Sequence, residues 1–239
     1  MAEAFANFPI IHREVEAMIK GARINSSIGP EVFKECLVEA MQWYGVYKEG
    51  FNQKDLLPTG AYLVKFMLRK AGVSKRDGVW VCTNGLKRGR HRIEVKTEIE
   101  KIAKVDYYEC MVDIYCCAGR KDPYTPLITM ECEGAAWNSG EIKRSATSDD
   151  CDYLWDLFKL LQVPSPLRVF LALCAKKKVE DLQWLINRHV KTYREARKPN
   201  DVIYAVVVPW VKLKGKTITI QRWSGRDSAA QKFQLKIGA

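Results

Sequence analysis

Histidine is scarce in this chain of 239 residues, and the three present, His12, His91 and His189, show no metal-ligand spacing. The eight cysteines form no C-x-x-C pair. Only Cys116 and Cys117 adjoin; the others, such as Cys36, Cys82 and Cys174, fall mostly within apolar runs. That pattern excludes a zinc spacing and a disulfide framework, and reads as small buried thiols in a reducing compartment. A glycine-rich phosphate loop and a nucleophile elbow are both missing. The longest apolar runs, around Val169–Ala175 and Val202–Trp210, are too short to span a bilayer. The opening Met1–Ala6 lacks the basic flank and apolar core of a signal peptide. The expectation is a soluble cytoplasmic protein with no membrane partner. There is no internal repeat, low-complexity segment or clear linker, so the chain reads as one domain over 1–239. Its core covers roughly 31–209, with an N-terminal helical segment and a basic C-terminal hairpin as elaborations.

Positive charge is plentiful. Lys and Arg number 39 against 28 Asp and Glu, a formal charge of +11, which favours a polyanionic partner and nucleic acid first. With 47% hydrophobic residues the chain has enough apolar side chains for a sizeable core. The densest basic cluster is Asn84–Arg92, where Lys87, Arg88, Arg90 and Arg92 are candidates for phosphate contact. Lys143 and Arg144 lie in a Gly-, Asn- and Ser-bearing loop over Ala135–Ser148. Lys212 and Lys214, with Lys216 and Arg222, belong to an expected basic hairpin around Gly215.

Three acids stand out against this background. In Cys110–Cys116 and Leu127–Glu133 apolar and polar residues alternate, the signal of half-buried strands. Gly119–Pro123 has turn composition. A hairpin symmetric about Asp122 places Asp113 directly opposite Glu131, with Cβ atoms roughly 5 Å apart. Val112, Ile114 and Cys116 then share an apolar face, and Asp113, Glu131 and Glu133 crowd the other. Opposed like charges destabilise a sheet. A divalent cation is the simplest compensation, and hard oxygen ligands of this kind suit Mg²⁺. The alternative is a solvated acidic face.

Elsewhere the pattern predicts a short helix over His12–Lys20, a polar turn over Ile24–Gly29, and a helix over Glu31–Tyr44 opened by Pro30. On the latter, Glu39 lies nearest the edge of the buried stripe and is a weak candidate to lean into a site. A helix over Thr59–Ala71 follows, then strands at Val79–Cys82 and Ile93–Ile99. After the acidic hairpin come a helix over Ser148–Leu161, a strand over Leu167–Ala175, a helix over Lys177–Ala196 and a strand over Val202–Val208. The tail, Ser224–Ala239, is weakly patterned. This order implies an α/β domain with a mixed sheet.

The order, and the residues Asp113, Glu131-Cys132-Glu133, Trp155–Leu161 and Pro166–Phe170, resemble the PD-(D/E)XK nuclease superfamily over roughly Glu31–Ala175. Asp113 matches that family's first acid and Glu131-x-Glu133 its second motif, with Glu133 standing where Lys is usual, as in a Glu-x-Glu subgroup. The resemblance implies a restriction-endonuclease-like mixed β-sheet flanked by helices. It implies a Mg²⁺-dependent DNA endonuclease, Mn²⁺ substituting, of type II restriction-enzyme character and homodimeric if it cuts both strands. Asp113, Glu131 and the Cys132 carbonyl would hold metal. Glu133 would act as base, Lys159 would stabilise transition-state charge, and Glu39 would be an outer acid. A non-cleaving nucleic-acid-binding or interaction module on the same fold, and an RNA-processing nuclease, are the alternatives.

Overall fold

The structure, a computed structural model, describes residues 19–43, 51–83, 92–106, 111–118, 126–134, 142–146, 151–197 and 199–237. Its strands are β1 (Val79–Cys82), β2 (Lys104–Asp106), β3 (Ile114–Ala118), β4 (Pro126–Glu133), β5 (Leu167–Cys174), β6 (Val202–Pro209), β7 (Thr217–Trp223) and β8 (Gln231–Lys236). They form one eight-stranded sheet in the order β2-β1-β3-β4-β5-β6-β7-β8. The centre is mixed: β1, β3 and β4 run antiparallel in turn, while β4, β5 and β6 are parallel.

The helices are α1 (Pro30–Trp43), α2 (Gln53–Lys70), α3 (Arg92–Ile99), α4 (Asp152–Gln162) and α5 (Val179–Arg197). Their placement follows from crossover handedness. The steps β4 to β5 and β5 to β6 advance the same way across the sheet, so two right-handed crossovers put α4 and α5 on one face. The step β1 to β2 is also parallel but advances the other way. Its crossover helix, α3, therefore joins α1 and α2 on the opposite face. Burial agrees. Val95 and Ile99 of α3 share a core with Phe33, Leu37, Leu63, Met67, Ile114, Met130 and Leu171. Leu154, Leu157, Leu182 and Ile186 share the other with Phe170, Ala172 and Ala205.

Several expectations change. Both sheet faces are covered, so the acidic hairpin is not half-solvated; β5 and β6 are buried along nearly their whole length. Ile93–Ile99 is helix, not strand: the buried pair Val95 and Ile99 is spaced i, i+4, and the apparent alternation leaves Ile93 exposed. Residues 24–27 are helical rather than a polar turn, with Ile24 and Ile28 in the core. Helix α2 starts well before Thr59 because Asn52 and Asp55 form a capping box; Pro58 sits inside the helix, where its missing N–H costs one intrahelical bond. The basic segment around Gly215 is the β6–β7 connection rather than a hairpin of its own, and the weakly patterned tail supplies edge strand β8. Strand β2 was not anticipated. The expected helix at 12–20 lies outside the described residues except for its helical end at 19–20.

The acidic pair keeps its expected register. Ile114 pairs with Met130, Tyr115 with Thr129 and Cys116 with Ile128, which carries Asp113 to a position opposite Glu131. Beyond Cys116 the register slips at a bulge, so Leu127 and Ile128 both enter the same core. Asp113 itself precedes β3, in a bend, and Val112 joins the core of the opposite face from Ile114 and Cys116.

Candidate metal and phosphodiester site

The site forms where β3 begins and β4 nears its end. The Cys132 N–H donates to Asp113 Oδ2 at 2.9 Å, and the Asp113 N–H donates to Glu131 Oε2 at 3.3 Å. Each carboxylate thus accepts from the other strand's backbone, which fixes both without a long side chain having to reach. Glu131 is 1% exposed, and its Oε1 is enclosed with no well-directed hydrogen bond. Facing it at 3.2 Å is Lys159 Nζ, brought in by α4, and Lys159 also holds Asp156 Oδ1 at 2.5 Å.

Burial and the adjacent Asp113 charge push the Glu131 carboxyl up to about 9, with Lys159 pulling the other way. Burial raises Asp113 as well, and the Cys132 N–H and a hydrogen bond with Glu131 resist that rise. Glu131 and Asp113 therefore titrate as a coupled pair that gives up its last proton less readily than ordinary carboxylates, and Lys159 is the charge that opposes this. For Lys159, burial works to lower the ammonium, but the hydrogen bond to Asp156 and the Glu131 charge outweigh it and the net shift is upward.

Glu133 is half-buried beside the start of α4, and its charge helps raise the Tyr153 phenol and the Cys132 thiol. The Tyr153 hydroxyl donates to the Leu173 carbonyl at 2.7 Å. Asp156 was missed. Its signal was available: it stands three residues before Lys159 on one helix, the spacing of a paired acid and base.

Glu39 does not belong here. It lies on α1 and pairs with Arg69 of α2, among the helices of the opposite sheet face. An acid at the edge of that helix's stripe leans toward the neighbouring helix, not through the sheet. Lys143, Arg144, Lys212 and Lys214 are exposed at the sheet edge where β4, β5 and β6 end. Lys87, Arg88 and Arg90 lie outside the described residues, and Arg92 is the first residue of α3.

Among the described residues no group of three or more His, Cys, Asp or Glu side chains converges as a metal cluster. The donor set is two carboxylates, one with an enclosed oxygen that faces Lys159 Nζ at 3.2 Å, and the Cys132 carbonyl, which leaves β4 toward the same side as its N–H. Such a set fits Mg²⁺, which commonly takes one or two carboxylates and completes its shell with water and substrate phosphate. No family model, curated protein or solved structure matches this chain.

Proposed function

We propose that the protein is a Mg²⁺-dependent endonuclease of the PD-(D/E)XK type, on a restriction-endonuclease-like fold, hydrolysing phosphodiester bonds in DNA. The observation that carries this reading is the backbone-locked Asp113–Glu131 pair with Lys159 at 3.2 Å. In support, β1, β3 and β4 pair antiparallel, β4 passes through α4 to parallel β5, and the acids lie on β4 and just before β3. The excess of basic residues supports a polyanionic substrate.

Asp113, Glu131 and the Cys132 carbonyl would hold the metal, which supplies charge neutralisation at the scissile phosphate and a more acidic bound water. Asp113 stays oriented by the Cys132 N–H, so its second oxygen is free to ligate. Glu131 would have to release any proton it holds in order to ligate, which would tie metal affinity to pH. Glu133 orients the attacking water and takes its proton. As the water oxygen bonds to phosphorus, one ester P–O bond breaks and the leaving oxygen takes up a proton. Lys159, released from Asp156, offsets charge on the phosphoryl oxygens.

One observation favours a second reading, a non-cleaving nucleic-acid-binding module. Lys159, Asp156 and Glu131 already form a closed ion-paired group, and such a group stabilises the fold with no metal at all. Incubating supercoiled plasmid with protein and Mg²⁺ separates the two. Nicking or linearisation that disappears in Asp113→Ala and Glu131→Ala supports hydrolysis at this site. Nicking that persists in both variants removes the site from the reaction. An absence of cleavage on any DNA or RNA leaves the binding module.

A further inference from the structure

We infer that an exposed ridge around Trp184 is a docking surface for single-stranded nucleic acid, with an unpaired base on the indole and flanking phosphates on Lys176, Lys177 and Arg188. The inference rests on the nucleic-acid reading above and names the form of the substrate. The ridge is built where β5 ends. A single turn of 3₁₀ helix, Lys176–Lys178, leads into α5, and residues 142–146 lie along the first turns of that helix. Three contacts hold them there. Lys178 Nζ donates to the Ile142 carbonyl at 2.8 Å, Arg144 Nε meets Asp181 Oδ1 at 3.0 Å, and Arg188 donates to the Arg144 carbonyl at 3.4 Å.

Trp184 stands between them, 40% exposed, with the guanidinium carbons of Arg144 and Arg188 at 5.8 and 5.7 Å from its ring centroid. Two cations thus share one indole that water still reaches. Of the two acids in the first turn of α5, Asp181 is held by Arg144 and, at 3.9 Å, by Lys178, while Glu180 is exposed. Among the described residues no acidic partner holds Lys176, Lys177 or Arg188, and all three are exposed. Adjacent uncompensated cations repel one another, and a polyanion relieves that repulsion while releasing its own counterions. A partly exposed indole with guanidinium planes that can themselves stack on a base is an arrangement that binds unpaired bases, because stacking needs a free base face that a duplex does not offer. An anionic bilayer suits it less: one indole flanked by guanidinium groups supplies little apolar area to insert.

Position connects the ridge to the acids. Glu133 pairs in register with Ala172, and Lys176 follows a few residues beyond Ala172 at the same sheet edge. A strand lying along the ridge runs toward the end of β4.

The test is fluorescence anisotropy with the full chain, in EDTA to prevent cleavage. A labelled single-stranded oligonucleotide is compared with its duplex and with phosphatidylserine vesicles. The single strand binds at least tenfold tighter than the duplex. Lys176→Glu with Lys177→Glu lowers its affinity at least tenfold and reduces the salt slope by about 1.4, from two lost phosphate contacts. Trp184→Leu lowers affinity about tenfold, with circular dichroism verifying that it folds. If Trp184→Leu fails to fold, the lysine pair, fully on the surface, decides alone. Unchanged affinity in the lysine variant, tighter binding of the duplex, or binding of vesicles without oligonucleotide overturns the inference. Plasmid cleavage distinguishes the two proposals. A wild-type protein that cleaves while both ridge variants bind normally refutes the ridge alone. Ridge variants that lose binding in a protein that cleaves nothing refute hydrolysis alone.

Discussion

Lys159 and Glu131 face each other at 3.2 Å from two elements, a crossover helix and the strand before it, and the carboxylate is almost wholly enclosed. Lys159 is therefore the near counter-charge to a site that is otherwise acidic. With Asp156 on its other side, it sets how much negative charge the site presents.

Replacing Lys159 with Met strips that counter-charge. Glu131 responds by holding its proton more tightly, which limits the damage. The expected loss of stability is about 1–2 kcal/mol, below the usual cost of breaking a fully buried pair because Lys159 is partly exposed. Glu131→Gln relieves repulsion from Asp113 and keeps or raises the metal-free melting temperature. Urea titrations in EDTA measure the first, and thermal unfolding in EDTA the second. On the hydrolytic reading plasmid cleavage by Lys159→Met falls at least 100-fold. In the wild type Mg²⁺ raises the melting temperature, and that rise is absent in Glu131→Gln.

Gly60 of α2 sets how closely that helix approaches the strand carrying the acids. A Cβ there meets Cys132 Sγ at 2.7 Å and Met130 Sδ at 2.8 Å. Gly60→Ala gains about 0.5–1 kcal/mol of helix propensity but costs about 1–3 kcal/mol in overpacking. A net loss near 1 kcal/mol is expected by chemical denaturation. Cys132→Ala, which removes the closest atom while Met130 Sδ remains, restores part of it in the double variant, so the two substitutions are non-additive.

The central strands were legible because their patterns were long or repeated: β4, β5 and β6 form within a residue or two of the expected bounds. The Asp113–Glu131 register was legible because the pairs Ile114–Met130 to Cys116–Ile128 are centred on Asp122, although the slip beyond Cys116, which no sequence pattern marked, moves the pair nearest the turn off that centre. What failed was local. In Arg92–Ile99 alternation and helical spacing coexist, and only the tertiary partner of Val95 and Ile99 decides between them. Pro58 marked a false boundary because a capping box upstream was stronger. Glu39 was misplaced because a one-dimensional pattern shows that a helix acid is peripheral, not which sheet face the helix covers. Asp156 is a different case: its spacing from Lys159 was visible, but nothing in the sequence said that Lys159 points inward.

His189 provides a pH test away from the acids. Its Nε2 is buried without a hydrogen-bond partner, and burial followed by the neighbouring Arg188 charge lowers its proton affinity. The unfolded chain takes up a proton below about 6.5, where the folded protein does not. The unfolded state then binds more protons, so stability falls as pH drops below that point. Denaturant midpoints at pH 7 and pH 5 should differ more in the wild type than in His189→Leu. Equal slopes in both proteins would assign the acid sensitivity to other groups.

Asp201 is buried between Arg168 of β5 and Arg194 of α5, with Arg194 Nη1 at 2.7 Å. Arg194 also donates to the carbonyls of Asp227 and Gly225, which lie between β7 and β8. One carboxylate thus offsets two enclosed guanidinium groups and ties the end of α5 to the far sheet hairpin. Burial lowers the proton affinity of both arginines, but guanidinium does not deprotonate in proteins, so neutralising Asp201 leaves two buried cations facing each other. Asp201→Asn is expected to cost about 3–5 kcal/mol, more than any substitution at the acidic site, and to loosen the β7–β8 hairpin first. Amide hydrogen exchange localises the effect. Protection lost across β8 while β4 and β5 stay protected is the expected pattern, and a uniform loss would place the role of Asp201 in the core as a whole.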